Sequence, residues 1–225
     1  MCKVMLMENA AVTGTDEVKP SRARNRRGEG GLLREEIIRA AVELLDEAQD
    51  ERAVTLRSVA RRAGIAAPSI YPHFADQPAI MLAVVQREFL ALESELVAAV
   101  ATAGDSPRDR LRAICDTYLE FALKYPERYR TMFGGLWIPD LAQSSLTKHD
   151  LASLGDAILA LVVDALRECV AAGQATSDNV EADAVALWLG LHGLAHQRLV
   201  SPSFAWPADI VDRIIHPLAH FTSGA

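Results

Sequence analysis

The sequence predicts an all-α protein with about nine helices, on three observations. Alanine (37) and leucine (27) far outnumber valine (17) and isoleucine (11), which favours helix formers over β-branched strand formers. Apolar residues recur at steps of three and four wherever a segment is long enough to read. Glycine or proline stands at the boundaries of most of those segments, as at Gly64, Gly104, Pro107, Pro126, Gly173 and Pro202. With 50% apolar and 24% charged residues, the 225-residue chain can bury a sizeable core, which excludes a disordered chain or a disulfide-stapled miniprotein.

Taken in order, residues 1–31 read as a disordered, partly basic arm ending in Gly28-Glu29-Gly30-Gly31. Leu33, Ile37, Ala41, Leu44, Leu45 and Ala48 then mark an amphipathic helix over 32–49. Thr55 caps a short second helix that runs to Ala63 and stops at Gly64. Pro68, suited to a first helical position, opens a short third. Leu82, Val85, Phe89, Leu92, Leu96 and Ala99 define one long helix over 79–103, ended by Gly104-Asp105-Ser106-Pro107 with Ser106 as the next cap. Helices over 107–124 and 126–133 flank Pro126, and Gly134, Gly135 and Pro139 make the stretch to Gln143 irregular. Two long helices follow, 150–172 and 178–200, the second opened by an Asp178/Glu181 capping box. Pro207 and Pro217 bracket a last helical segment. The expected division is the arm, a first domain over 32–91 and a second over 92–225.

Several function classes fall away. The longest apolar runs, Ala157–Val163 and Ala184–Leu191, are far shorter than the roughly 20 residues a spanning helix needs, so no membrane role is expected. Cys2, Cys115 and Cys169 are widely spaced and fit a reducing cytoplasm. No Walker loop, G-x-S-x-G or G-x-G-x-x-G occurs, and no carboxylates pair for acid–base work; neither an enzyme nor a cofactor is expected. His192 and His196 stand four apart, as do His216 and His220, but Gly193 occupies the place of a metalloprotease glutamate and no metal site is expected.

The net charge of −7 hides an asymmetry, because residues 1–80 balance and the acidic excess lies entirely in 81–225. Two acid-free basic islands sit in the balanced part: Arg22, Arg24, Arg26 and Arg27 in the arm, and Arg52, Arg57, Arg61 and Arg62 beyond it. A local positive field of this kind can hold polyphosphate despite the overall charge, although charge runs are more often simple solvated faces.

Residues 55–74 decide between those readings. Two short helices crossing sharply need a small residue at the contact (Ala60), a left-handed turn residue (Gly64) and apolar wedge residues (Val59, Ala63, Ile65, Ile70). This is helix-turn-helix spacing, in which the second helix enters the major groove. An ordinary αα-hairpin shares the Ala-x-x-x-Gly spacing but has no need of the acid-free basic surface.

Here the sequence also resembles a family. Thr55, Arg57, Val59, Ala60, Ala63, Gly64, Ile65, Ile70, Tyr71, His73, Phe74, Ile80 and Met81 follow the N-terminal pattern of TetR-like bacterial transcriptional regulators. Residues 118–133 and the Trp188…His192-Gly193 signature resemble the subset with a Trp…His-Gly effector domain. The resemblance implies that Arg57 reaches a base edge, that Thr55, Ser69, Tyr71 and His73 contact phosphates or fix register, and that Ala67, Pro68 and Pro72 face bases. Gln77 stands where the family usually has lysine, and Pro72 sits inside the reading helix, which should therefore be short and tight.

In the second domain Tyr118, Phe121, Met132, Phe133, Trp137, Trp188 and His192 are either core or, as the resemblance implies, the lining of an effector cavity. The expected protein is a cytoplasmic, ligand-responsive repressor. It binds a palindromic double-stranded DNA operator as a homodimer and is released by a small apolar or aromatic effector. The dimer is expected to form through the helices near 150–172 and 178–200, with Leu154, Ile158, Leu161, Val162 and Ala165 on one face and Val185, Trp188, Leu191, Ala195 and Leu199 on the other. The competing expectation, motivated by Gln77 and Pro72, is a small-molecule-binding helical protein whose DNA-binding domain has degenerated.

Overall fold

The computed structural model describes residues 30–48, 50–135 and 137–222. The arginines expected in the arm and Cys2 lie outside them. Among the described residues there are nine α-helices and no strand: α1 Gly30–Ala48, α2 Leu56–Ala63, α3 Gln77–Thr102, α4 Pro107–Lys124, α5 Pro126–Phe133, α6 Lys148–Ala152, α7 Asp156–Ala171, α8 Val180–Val200 and α9 Ile210–Leu218. Short 3-10 turns occupy Glu51–Ala53, Ala67–Ser69 and Leu141–Gln143.

The apolar periodicity resolves into two separate cores. Ile37, Ala41 and Leu45 of α1, Val59 and Ala60 of α2, Ile70, Phe74, and Ile80, Met81 and Val84 of α3 form the first. Leu92 and Leu96 of α3, Leu111, Ile114 and Tyr118 of α4, Ile158 and Val162 of α7, and Leu187 and Leu191 of α8 belong to the second. α3 therefore starts in one core and ends in the other without a break. At the junction Glu88 is buried at 5% exposure and pairs with Arg128 of α5. Burial first, and the neighbouring Glu88 charge next, raise the carboxyl pKa of Asp46, which borders the same junction from α1. Cys115 and Cys169 are free thiols inside the second core, and burial pushes Cys169 up to about 11.

Four local expectations change. The helix expected over 150–172 is two, because the chain turns at Ser153–Gly155 and Gly155 adopts φ +85°. A side chain at Gly155 would also meet Phe89, its Cβ only 3.0 Å from the ring. α8 is capped by Asn179, whose side chain accepts from Ala182 N at 3.1 Å, rather than by an Asp178/Glu181 box; Glu181 instead pairs with Arg167 of α7 at 2.9 Å. Ser106 precedes α4 as expected, but its hydroxyl bonds Gln174 at 3.3 Å and does not cap the helix. Finally, Ile158, Val162, Ala165, Leu191 and Ala195, expected on faces toward a second chain, are buried within their own. The large apolar residues that α8 does expose are Val185, Leu189 and Val200.

Candidate functional site

The helix-turn segment is assembled by its own backbone. Thr55 and Ser58 form a capping box at the start of α2: the Thr55 hydroxyl accepts from Ser58 N at 3.1 Å and Ser58 Oγ accepts from Thr55 N at 2.9 Å. At the other end Gly64 takes φ +68°, and Ile65 N donates to the Ala60 carbonyl at 3.0 Å, closing the helix in the manner of a Schellman turn. A Cβ at Gly64 would touch nothing within 4 Å, so the backbone angle alone calls for glycine there.

The segment expected to be a short helix from Pro68 is tighter than that. Ala67–Ser69 forms a 3-10 turn, and overlapping turns carry the chain to His73. Pro72 has no N–H to give and disfavours helical geometry at Tyr71, which accounts for the missing α-helical ladder. Thr55, Arg57, Pro68, Tyr71 and Pro72 are exposed, Tyr71 at 60%, while Ala67, Ser69 and His73 are half-buried on the same segment. Gln77 is committed elsewhere: its amide donates to the Glu51 carbonyl at 3.4 Å. Arg62 is also withdrawn from the basic island, since it pairs with Glu47 at 2.5 Å and Glu43 at 3.4 Å, both on α1. The hydrogen bond from Arg62 holds the Glu47 carboxyl below its usual range. Arg57 and Arg61 remain exposed on α2.

In the second domain four of the seven aromatic-set residues meet. Trp188 stacks on His192 with ring centroids 5.3 Å apart, and Phe133 meets the same imidazole edge-on at 4.8 Å. The Tyr118 hydroxyl lies 3.1 Å from His192 Nδ1. Tyr129, missed in the sequence, places its hydroxyl 2.9 Å from the same nitrogen. Burial, with the nearby His196 as a lesser cause, lowers the His192 pKa and favours the neutral ring; in the tautomer with its proton on Nε2, Nδ1 accepts from the tyrosine O–H groups. Burial raises both phenols.

The remaining three residues lie apart. Phe121 is buried beside Tyr125 at 5.2 Å with the Arg128 guanidinium over its ring. Met132 is half-buried against the second core. Trp137 packs on the first core, and so belongs with the helix-turn domain rather than with the aromatic set. A cavity of about 170 Å³ opens beside the aromatic group, lined by Phe89, Phe133, Leu154, Gly155, Ile158 and Trp188 among others. Phe89, Leu154 and Gly155 were not expected to line it; Phe89 comes from α3, and Leu154 and Gly155 from the turn between α6 and α7. Among the described residues no group of His, Cys, Asp or Glu could hold a metal, and His216 and His220 part company, one beside Arg108 and the other 3.4 Å from Asp183. No helix among them is long and apolar enough to cross a membrane.

Known proteins share this organisation. The HTH-type transcriptional activator FasR of Mycolicibacterium smegmatis is 29% identical over 110 residues, 49% of this chain and 50% of that protein. The HTH-type transcriptional regulator BetI of Stenotrophomonas maltophilia is 32% identical over 91 residues, 40% of this chain and 46% of that one. The chain thus spans about half the length of the curated relatives it matches. The crystal structure of a transcriptional regulator FadR from Bacillus subtilis in complex with stearoyl-CoA superposes with a TM-score of 0.65 at 14% identity, over 82% of this chain and 97% of that one, and so shares its fold. Residues 37–84 match the family described as bacterial regulatory proteins, tetR family, and residues 111–221 match a Tetracyclin repressor-like C-terminal domain. With one match on each core, the first domain is that of the tetR family of bacterial regulators and the second a Tetracyclin repressor-like C-terminal domain.

Proposed function

We propose that the chain is a ligand-responsive transcriptional repressor that binds a palindromic operator as a homodimer and is released by a small apolar or aromatic effector. The observation that carries this reading is an exposed helix–Gly64 turn–3-10 segment presenting Arg57, Ala67, Pro68, Ser69 and Tyr71 on a domain joined to a cavity-bearing domain by one unbroken helix. Arg57 is the base-reading candidate, with guanine O6/N7 its preferred partner; Thr55, Ser69, Tyr71 and His73 fix register on the phosphates. One such segment reads few base pairs, so useful specificity needs two, about 34 Å apart on the duplex.

The outer face of α8 supports the pairing. Val185, Leu189 and Val200 are exposed, and Gly193 between them has nothing within 4 Å of where a side chain would stand, leaving room for a second helix to approach closely. Leu189→Glu should shift the mass in sedimentation from dimer to monomer; an unchanged mass removes α8 from the interface.

Effector binding and DNA binding are coupled by two routes. One is α3. The other is the strap between α5 and α6: Phe133 at its start and Leu154 beyond its end line the cavity. In between, Trp137 sits on the first core and Ser145 N donates to Asp76 Oδ2 at 2.6 Å, while Asp76 Oδ1 caps α3. A ligand that moves Phe133 or Leu154 thereby moves the base of the helix-turn domain. A coupling of about 1–3 kcal/mol would weaken operator binding roughly 5- to 150-fold.

The test is fluorescence anisotropy on a fragment of the promoter upstream of the chain's own gene, across a salt series. Phosphate contacts require log K to fall linearly with log salt, and Arg57→Ala should cost about 1–3 kcal/mol. Salt-independent or absent binding would favour the competing reading, a small-molecule-binding protein with a degenerate DNA domain, for which the engagement of Gln77 with Glu51 is the supporting observation. FasR is named an activator, so a reporter assay with and without the gene decides the sign of regulation.

A further inference from the structure

We propose that the effector is a lipophilic monocation: a compact aromatic amine or quaternary ammonium. The inference rests on the effector-cavity reading above and adds charge to it. The cavity of about 170 Å³ continues into an outer space of about 280 Å³, the two sharing Phe89, Leu154, Gly155 and Ile158 as walls. Phe89, Phe133 and Trp188 make the inner part aromatic, and aromatic faces attract a desolvated cation. The ionisable side chains lining the two spaces are Asp156 and Glu93, both carboxylates, and neither has an ion-pair partner among the described residues. No lysine, arginine or histidine lines either space.

Every element around the cavity contributes to the charge balance. From α8, His192 lies behind Trp188 with Nδ1 occupied by the tyrosine hydroxyls. From α5 and α8, Arg130 and His196 line a separate space on the far side of Tyr129, and Arg130 is paired with Glu127. The N-terminus of α7 works in the opposite direction. Gly155 gives it no side-chain cap, and its dipole places roughly half a positive charge there. Two full carboxylates outweigh that half charge, so an incoming carboxylate or phosphate meets repulsion, a neutral ligand meets only apolar walls, and a cation gains from both. The inner volume suits one ring bearing a short branched substituent.

Three probes of nearly one shape separate these cases: benzyltrimethylammonium, its uncharged carbon isostere neopentylbenzene, and the anion 2,2-dimethyl-3-phenylpropanoate. Each is titrated into the full-length protein without DNA, followed by tryptophan fluorescence and by thermal shift. Trp188→Phe serves as the site control. The cation should bind about tenfold more tightly than its isostere. That preference should collapse toward unity in Asp156→Asn/Glu93→Gln, with neopentylbenzene affinity unchanged. If the double variant does not fold, Glu93→Gln alone, which leaves the α7 terminus intact, should remove part of the preference. Equal or tighter binding of the neutral or anionic probe would overturn the charge inference while leaving the effector cavity standing. If none of the three binds, or if Trp188→Phe changes no titration, the cavity reading falls as well.

Discussion

With its proton on Nε2, His192 Nδ1 has one lone pair and two tyrosine hydroxyls within reach, at 3.1 Å from Tyr118 and 2.9 Å from Tyr129, and that redundancy has a measurable signature. Both tyrosines are nearly inaccessible, at 2% and 1% exposure. Replacing either with phenylalanine removes one hydroxyl but leaves the other to donate, so each single variant should lose about 0.5 kcal/mol, the low end for a net hydrogen bond. Replacing both leaves a buried acceptor with no donor, which costs about 1–3 kcal/mol. Taking about 2 kcal/mol for the double variant, it should lose about 1 kcal/mol more than the two singles together, a coupling typical of groups sharing one partner. For a chain of this size that excess lowers Tm by about 2–4 °C. Urea denaturation at pH 8 and fixed protein concentration reads the coupling directly, with His192 neutral throughout. The donors also favour the neutral ring, so the His192 pKa read by NMR should rise in the double variant. Additive losses, or an unmoved histidine titration, would refute the shared-acceptor arrangement.

Three further outcomes follow from other contacts. The folded-state pKa of His192 lies below its ordinary 6.5, so the unfolded chain binds the proton first as pH falls. The His192 contribution is complete above pH 6.5 and is lost as pH drops toward the folded value; urea midpoints from pH 7.5 to 5 should show that loss, and His192→Gln should flatten it. Gly64→Ala should destabilise by about 1–2 kcal/mol through its left-handed backbone alone, since nothing blocks the new methyl; a neutral result in thermal unfolding would contradict the φ of +68°. Trp137→Ala should cost about 2 kcal/mol, less than a fully buried tryptophan because Trp137 is half-exposed, and should also blunt effector release in the anisotropy assay. Unchanged release would confine coupling to α3.

What could be read from the sequence was local. Gly64 was legible because a left-handed turn between two short helices has almost no other solution, and Pro72 announced the tightness of the segment it occupies. The errors arose where distant chain segments meet. Arg62 counted toward an acid-free island because Glu43 and Glu47 lie on another helix, one turn apart and facing it. Trp137 was grouped with Phe133 through adjacency, although the intervening glycines let the chain cross to the other core. Gly155 stood in an apolar periodic run, where a single glycine does not by itself announce a break; its positive φ and its contact with Phe89 are visible only in three dimensions. Tyr129 was passed over because a tyrosine beside two arginines gives no hint of the histidine 63 positions away that it serves.

The absence of any interruption in α3 sets how a small event is magnified. From Phe89, beside the cavity, to Gln77, where α3 starts within the first domain, the helix runs 12 residues, about 18 Å at the standard rise. A tilt of about 10° around Phe89 swings that end by about 3 Å. In a symmetric pair the two swings add, changing the spacing of the reading segments by about 6 Å against a helical repeat of about 34 Å. In the proposed dimer a stiff rod would thus let an angular change too slight to disturb either core put both copies out of step with the grooves.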